Sequence, residues 1–158
     1  MAKWKMPPIA KVYEALSAVA DGRVRIAGPA RAQVVSSSGD KTYTVEWSDP
    51  LREITSDDNA SYWQGYAGYP IIAVLLATGR ITYDPATARR LAGVPWRQIN
   101  DRFKRDYDRA VESVLDDIAA AGGDRAAITR EAEAIYRQLE GLELERGPRR
   151  AAPKAPAG

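Results

Sequence analysis

The chain reads as an α+β fold: an N-terminal helix, a small antiparallel β-hairpin or sheet packed on a short buried helix in a ββα-like unit, then a helical C-terminal half. Three observations predict it. Apolar residues in "PPIAKVYEALSAVADG" recur at helical spacing. "ARAQVV" and "KTYTVEW" alternate on either side of the turn-rich "SSSGD". "YPIIAVLLATG" is a short helical run with no polar face.

In the first segment Ile9, Val12, Tyr13, Leu16 and Val19 share one helical face, Pro8 suits the first turn, and Gly22 suits the stop. The polar face of this helix is expected to be solvated. In the hairpin, Tyr43, Val45 and Trp47 face one way and Thr42, Thr44 and Glu46 the other, and Gly39 supplies the turn. "VRI" before it and "LREIT" after it read as short additional strands. Pro70 opens the apolar helix and Gly79 caps it, and Ile71, Ile72, Val74, Leu75 and Leu76 make it a central, buried element.

"DPATARRLAG" is a short helix with Asp84 as N-cap and Pro85 at the first helical position. The spacing of Trp96, Ile99, Phe103, Tyr107, Ala110, Val114 and Ile118 predicts one long helix over 95–121 with a narrow apolar stripe. Ile128, Ala132, Ile135, Leu139 and Leu142 predict a further helix over 122–145, turned back on it by Gly122-Gly123. Residues 1–121 read as the α+β core, and 146–158 as a disordered basic tail rich in Pro and Ala.

The 158 residues, 45% hydrophobic and 28% charged, suit a globular chain with a real core. Cys and His are both absent. That excludes disulfides, thiol nucleophiles, Cys-ligated zinc and Ser-His-Asp or Cys-His hydrolases. A formal charge of +2 is too small to argue nucleic-acid binding unless basic residues cluster. The N-terminus lacks a signal-peptide core, and the apolar run Ile71 to Ala77 is too short to span a bilayer. No cofactor, metal or membrane partner is expected, and the expected location is the cytoplasm.

"SDDNASYWQGYAGYP" crowds Tyr62, Trp63, Tyr66 and Tyr69 into one loop ahead of the apolar helix. A hairpin like "VVSSSGDKTYTVEW", a loop and a helix like "IIAVLL" together resemble the SWIM zinc-finger family over residues 33–79. That family carries a CxCx(n)CxH pattern. Aligned on the helix, its ligand positions fall on Ile54, Ser56, Gly68 and Pro70, none of which binds zinc in the family's way. The resemblance implies a metal-free ββα unit and DNA-binding or protein–protein roles. Loss of a structural metal removes folding energy, and burial of the loop aromatics is the expected replacement, with Trp63 a structural ring. The functional alternative leaves some of these rings exposed to stack on bases or grip a peptide. Asp57, Asp58 and Asn59 are expected to tie the loop's amides rather than to hold a metal.

"ATARRLAGVPWRQINDRF" is similar to a helix-turn-helix, with Gly93 in the turn and Val94 and Ile99 buried. Trp96, Arg97, Gln98 and Asn100 would open the helix that reads base edges. Arg89, Arg90, Arg97, Arg102, Lys104 and Arg105 cluster near this junction, a pattern that suits phosphates, or else a solvated face with pairs such as Asp101–Arg105. The leading expectation is a non-catalytic binding module for nucleic acid. The alternative is a protein-interaction or self-assembling subunit that uses the aromatic loop and the helical hairpin.

Overall fold

The computed structural model describes residues 3–48 and 50–147. Helix α1 (Ala10–Ala20) leads into strands β1 (Val24–Gly28), β2 (Arg31–Val35), β3 (Thr42–Trp47) and β4 (Glu53–Ser56). A π-helix (Ala60–Gln64) follows, then α2 (Tyr69–Ala77), α3 (Pro85–Arg90), α4 (Trp96–Arg102), α5 (Tyr107–Ala120) and α6 (Arg125–Leu142). Strand β5 (Glu145–Arg146) is the last element among the described residues.

The sheet is five-stranded in the order β1-β2-β3-β4-β5. The first four strands form an antiparallel meander, and β5 joins β4 in parallel. The alternation read in "TYTVEW" holds: Val45 and Trp47 are buried, while Thr42 is exposed. Gly39 takes φ +78° in the hairpin turn, where Ser36 accepts from the Lys41 amide. Arg146 belongs to this sheet rather than to a disordered tail, and the Gly147 amide donates to Ile54 O at 3.1 Å. The rest of the expected tail, 148–158, lies outside the described residues.

Helix α2 lies on the sheet, touching β1 to β4, and α1 packs most extensively on α2. On its other sides α1 meets α3, α5 and α6. It is therefore buried all round from Ala10 to Ala18, and its expected solvated polar face is corrected: Lys11, Glu14 and Ser17 are core residues. Ser17 is satisfied there, donating to Leu91 O at 2.6 Å and accepting from Trp96 Nε1 at 2.8 Å.

The single helix expected over 95–121 is also corrected. The chain leaves α4 at Phe103 and restarts at Tyr107. Arg105 N donates to Asn100 O at 2.8 Å and Lys104 N to Asp101 O at 3.1 Å, a Schellman closure with Lys104 at φ 53°. Asp106 then caps α5 by accepting from Arg109 N. An apolar stripe continues through such a break because both pieces face the same core. Helix α6 keeps its predicted stripe of Ile128, Ala132, Ile135 and Leu139, which joins the common core cluster. Arg125 at its start reaches back to Glu112 and Asp116 on α5.

Candidate nucleic-acid interface

The loop from β4 to α2 is held by a polar knot. Ser56 Oγ donates to Asp58 Oδ1, the Ser61 amide donates to Asp58 Oδ2 at 3.1 Å, and the Gly68 amide donates to Ser61 Oγ at 3.0 Å. Ser56, Asp58 and Ser61 are all buried. Asp57 secures the loop to the hairpin by accepting from the Thr44 amide at 2.8 Å. Ser56 and Gly68, two of the positions where the zinc-finger resemblance sets ligands, thus meet through Asp58 and Ser61. Ile54 and Pro70 are buried in β4 and α2. The expectation that buried aromatics close this region is corrected in part, because hydrogen bonds close it. Asn59 precedes the π-helix without a side-chain capping bond.

Released from that duty, Trp63, Tyr66 and Tyr69 line a cleft, whereas Tyr62 lines a separate recess beside Thr44 and Asp57. Trp63 is 52% exposed, which corrects the expectation of a buried structural ring. Its partner is Tyr62, with ring centroids 4.6 Å apart. Tyr69 stands edge-on to Tyr43 at 6.3 Å. A recess of about 730 Å³ is walled by Trp63, Tyr66, Tyr69 and Tyr107, with Lys11 and Glu14 of α1 also lining it. A smaller recess of about 240 Å³ adjoins it, lined by Arg97, Asn100 and Asp101 of α4 and by Lys41 and Arg23. Glu14, Tyr43, Asn59, Tyr69 and Arg105 line both, so the two recesses adjoin along a shared wall and together make up the cleft.

Burial raises the phenol pKa values of Tyr43, Tyr66 and Tyr69, so these rings are neutral donors. Lys11 Nζ sits 4.1 Å from the Tyr107 ring centroid and 3.1 Å from Glu14 Oε2. Burial alone lowers the Lys11 pKa, but the Glu14 carboxylate and the neighbouring phenols outweigh it, and the net direction is up. The approach of Lys11 lacks hydrogen-bond geometry, so the buried Glu14 Oε2 accepts no hydrogen bond.

The structure separates the basic residues named from sequence. Arg97, Asn100 and Arg105 line the cleft. Arg89, Arg90, Gln98, Arg102 and Lys104 are exposed but line neither recess. Trp96 is 2% exposed and lies in the core, which corrects its place among surface contacts. Arg97 is bound to the hairpin turn: its amide donates to Ser37 Oγ at 3.2 Å, and its Nη1 alone donates to both Asp40 carboxylate oxygens, at 2.9 and 3.1 Å. Ser38, then Ser36 and Arg97, hold the Asp40 carboxyl below the usual carboxylate range. The hairpin turn therefore meets the start of α4, the end that a reading helix inserts into a groove. Arg105, by contrast, pairs with no carboxylate among the described residues.

Sequence reasoning missed Lys11 and Glu14, whose i,i+3 spacing on a presumed solvent face looked like an ordinary surface pair. It also missed Tyr43 and Tyr107, which periodicity assigned to apolar faces. Among the described residues no group of three or more acidic side chains is placed to hold a metal ion, and no helix is long and apolar enough to cross a membrane. No curated protein and no solved structure matches the chain significantly. A family model does match, over residues 4–145, nearly all of the described chain, and the chain belongs to the family described as uncharacterised conserved protein UCP014422.

Proposed function

We propose that the chain is a non-catalytic binding module for nucleic acid that takes a single-stranded or looped segment in the aromatic cleft. The observation that carries this reading is that the two recesses adjoin, with five lining residues in common. An aromatic-walled recess large enough for a base lies beside one flanked by Arg97, Lys41 and Arg105. Stacking rings beside a basic groove are what single strands require. The covered start of α4 and the buried Trp96 weigh against a helix-turn-helix reading of duplex DNA. Arg89, Arg90, Arg102 and Lys104 then serve as outlying phosphate contacts.

The test is fluorescence anisotropy with labelled single-stranded and duplex oligonucleotides across a salt series, on the full chain and on a chain ending at Gly147. Single strands bind tighter than duplex, with a log–log salt slope of roughly −0.7 per phosphate engaged. Arg105→Ala flattens that slope by about one phosphate. No binding at low salt by the full chain rejects the reading in favour of a protein partner.

A further inference from the structure

The cleft contains a recognition pair that aromatic stacking does not use. Glu14 is 7% exposed and lines both recesses, and its Oε2 is paired with the Lys11 ammonium without a well-aligned hydrogen bond. Lys11 Nζ stands beside it at 3.1 Å and lines the larger recess. A buried carboxylate that meets its partner charge without a well-aligned hydrogen bond gains from an incoming donor. The terminal carboxyl torsion of a Glu is soft, so a small rotation turns this oxygen towards the recess.

We propose that Lys11 and Glu14 read the Watson–Crick edge of a guanine held in the aromatic recess. Side by side they offer a donor and then two carboxylate acceptors. Guanine offers the complement: O6 accepts, and N1–H and N2–H donate. Adenine and cytosine each present one amino donor beside a ring acceptor, so they engage one carboxylate oxygen. Thymine and uracil flank their single N–H with carbonyls that face the carboxylate oxygens and are repelled. Charge-assisted hydrogen bonds discriminate between bases, because the wrong base leaves the carboxylate with Lys11 as its partner and a site built for a donor unfilled. The rings of Trp63, Tyr66 and Tyr107 supply apolar walls for the base. Arg105, common to both recesses, is placed for the adjoining phosphate.

This inference rests on the nucleic-acid reading above, and one experiment separates their failures. Short oligo-dT strands carrying one central guanine, adenine, cytosine or hypoxanthine are titrated against the full chain at fixed low salt. Guanine binds tightest, and hypoxanthine, which lacks only the N2 amino group, binds about tenfold more weakly for loss of one hydrogen bond to a charged group. In Glu14→Gln one acceptor becomes a donor, and the guanine-to-hypoxanthine ratio falls towards one. Thermal melting establishes that this variant is folded; should it not be, the comparison of strands on the unaltered chain alone decides. Equal binding of all strands overturns the guanine inference and leaves nucleic-acid binding standing. A ratio unchanged in folded Glu14→Gln also overturns it. Absence of binding to every strand overturns both.

Discussion

A Cβ placed on Gly68 would overlap Asp58 Oδ2 and stand 3.0 Å from Ser61 Oγ. Gly68 has φ −71° and ψ 169°, a backbone open to any residue, so glycine is required here by close approach and not by torsion. Gly68→Ala should therefore cost about 1–3 kcal/mol through overpacking of the knot. Asp58→Ala should cost about 2–4 kcal/mol, because it strands the Ser61 amide and the Ser56 hydroxyl in a buried place. Urea denaturation of the two variants checks both, and parent-like midpoints would contradict the knot.

The two tryptophans of the proposed site region should behave oppositely. Trp63→Ala should change stability by no more than about 0.5 kcal/mol, as befits a largely exposed ring. It should weaken oligonucleotide binding by about 1–3 kcal/mol if one base stacks there. Trp96→Ala should cost about 3–5 kcal/mol in stability, since a core ring is removed. Melting curves paired with anisotropy separate the two behaviours.

A sign test decides the helix break. Lys104 occupies the left-handed position that closes α4. Lys104→Gly should stabilise the chain by about 0.5–1 kcal/mol, because glycine relieves the Cβ penalty there. In a continuous helix the same change would destabilise by about 1 kcal/mol.

Alkaline pH should erode stability. Lys11, Tyr43, Tyr66 and Tyr69 all have folded pKa values raised above the ordinary 10.5 of lysine and 10.0 of tyrosine. For each, the folded state keeps its proton longer than the unfolded state does. Their stabilisation is complete below pH 10 and is lost as pH climbs from there through the folded values. Urea midpoints, constant in this respect near neutrality, should fall above pH 10. Lys11→Met should destabilise by about 3–5 kcal/mol at neutral pH by leaving Glu14 buried without its partner charge. Adding Glu14→Gln should restore part of that loss.

The legible parts of this fold were those where one face decides the pattern. The hairpin around Gly39 and the α6 stripe each bury a set of residues that period alone identifies, and the Ile71–Leu76 run is recognised as buried because it has no polar face at all. Helix α1 was misjudged because neighbours on every side bury Lys11, Glu14 and Ser17 too, and a sequence window cannot see those neighbours. Trp63 looked like core for want of any sign that Asp58 and Ser61 already close the loop. The break after Arg102 hid behind an apolar stripe that serves two helices in turn. The cleft escaped notice for a related reason. Glu14, Tyr43, Tyr69 and Arg105 come together from α1, β3, α2 and the α4–α5 connection, four places with no local signal in common.

Helix α1, enclosed on all sides, also sets a timetable for synthesis. It leaves the ribosome before α3, α5 and α6, which cover three of its flanks. Until then its apolar surface and the Lys11–Glu14 charges have no complete shelter, so the early chain stays in a loosely collapsed state that invites chaperones. Closing the long loops between residues 10–20 and 107–142 makes the final docking step slow relative to local helix formation. A fragment ending before α5 should accordingly stay non-native, without the aromatic cleft, however complete its sheet and α2 look on paper.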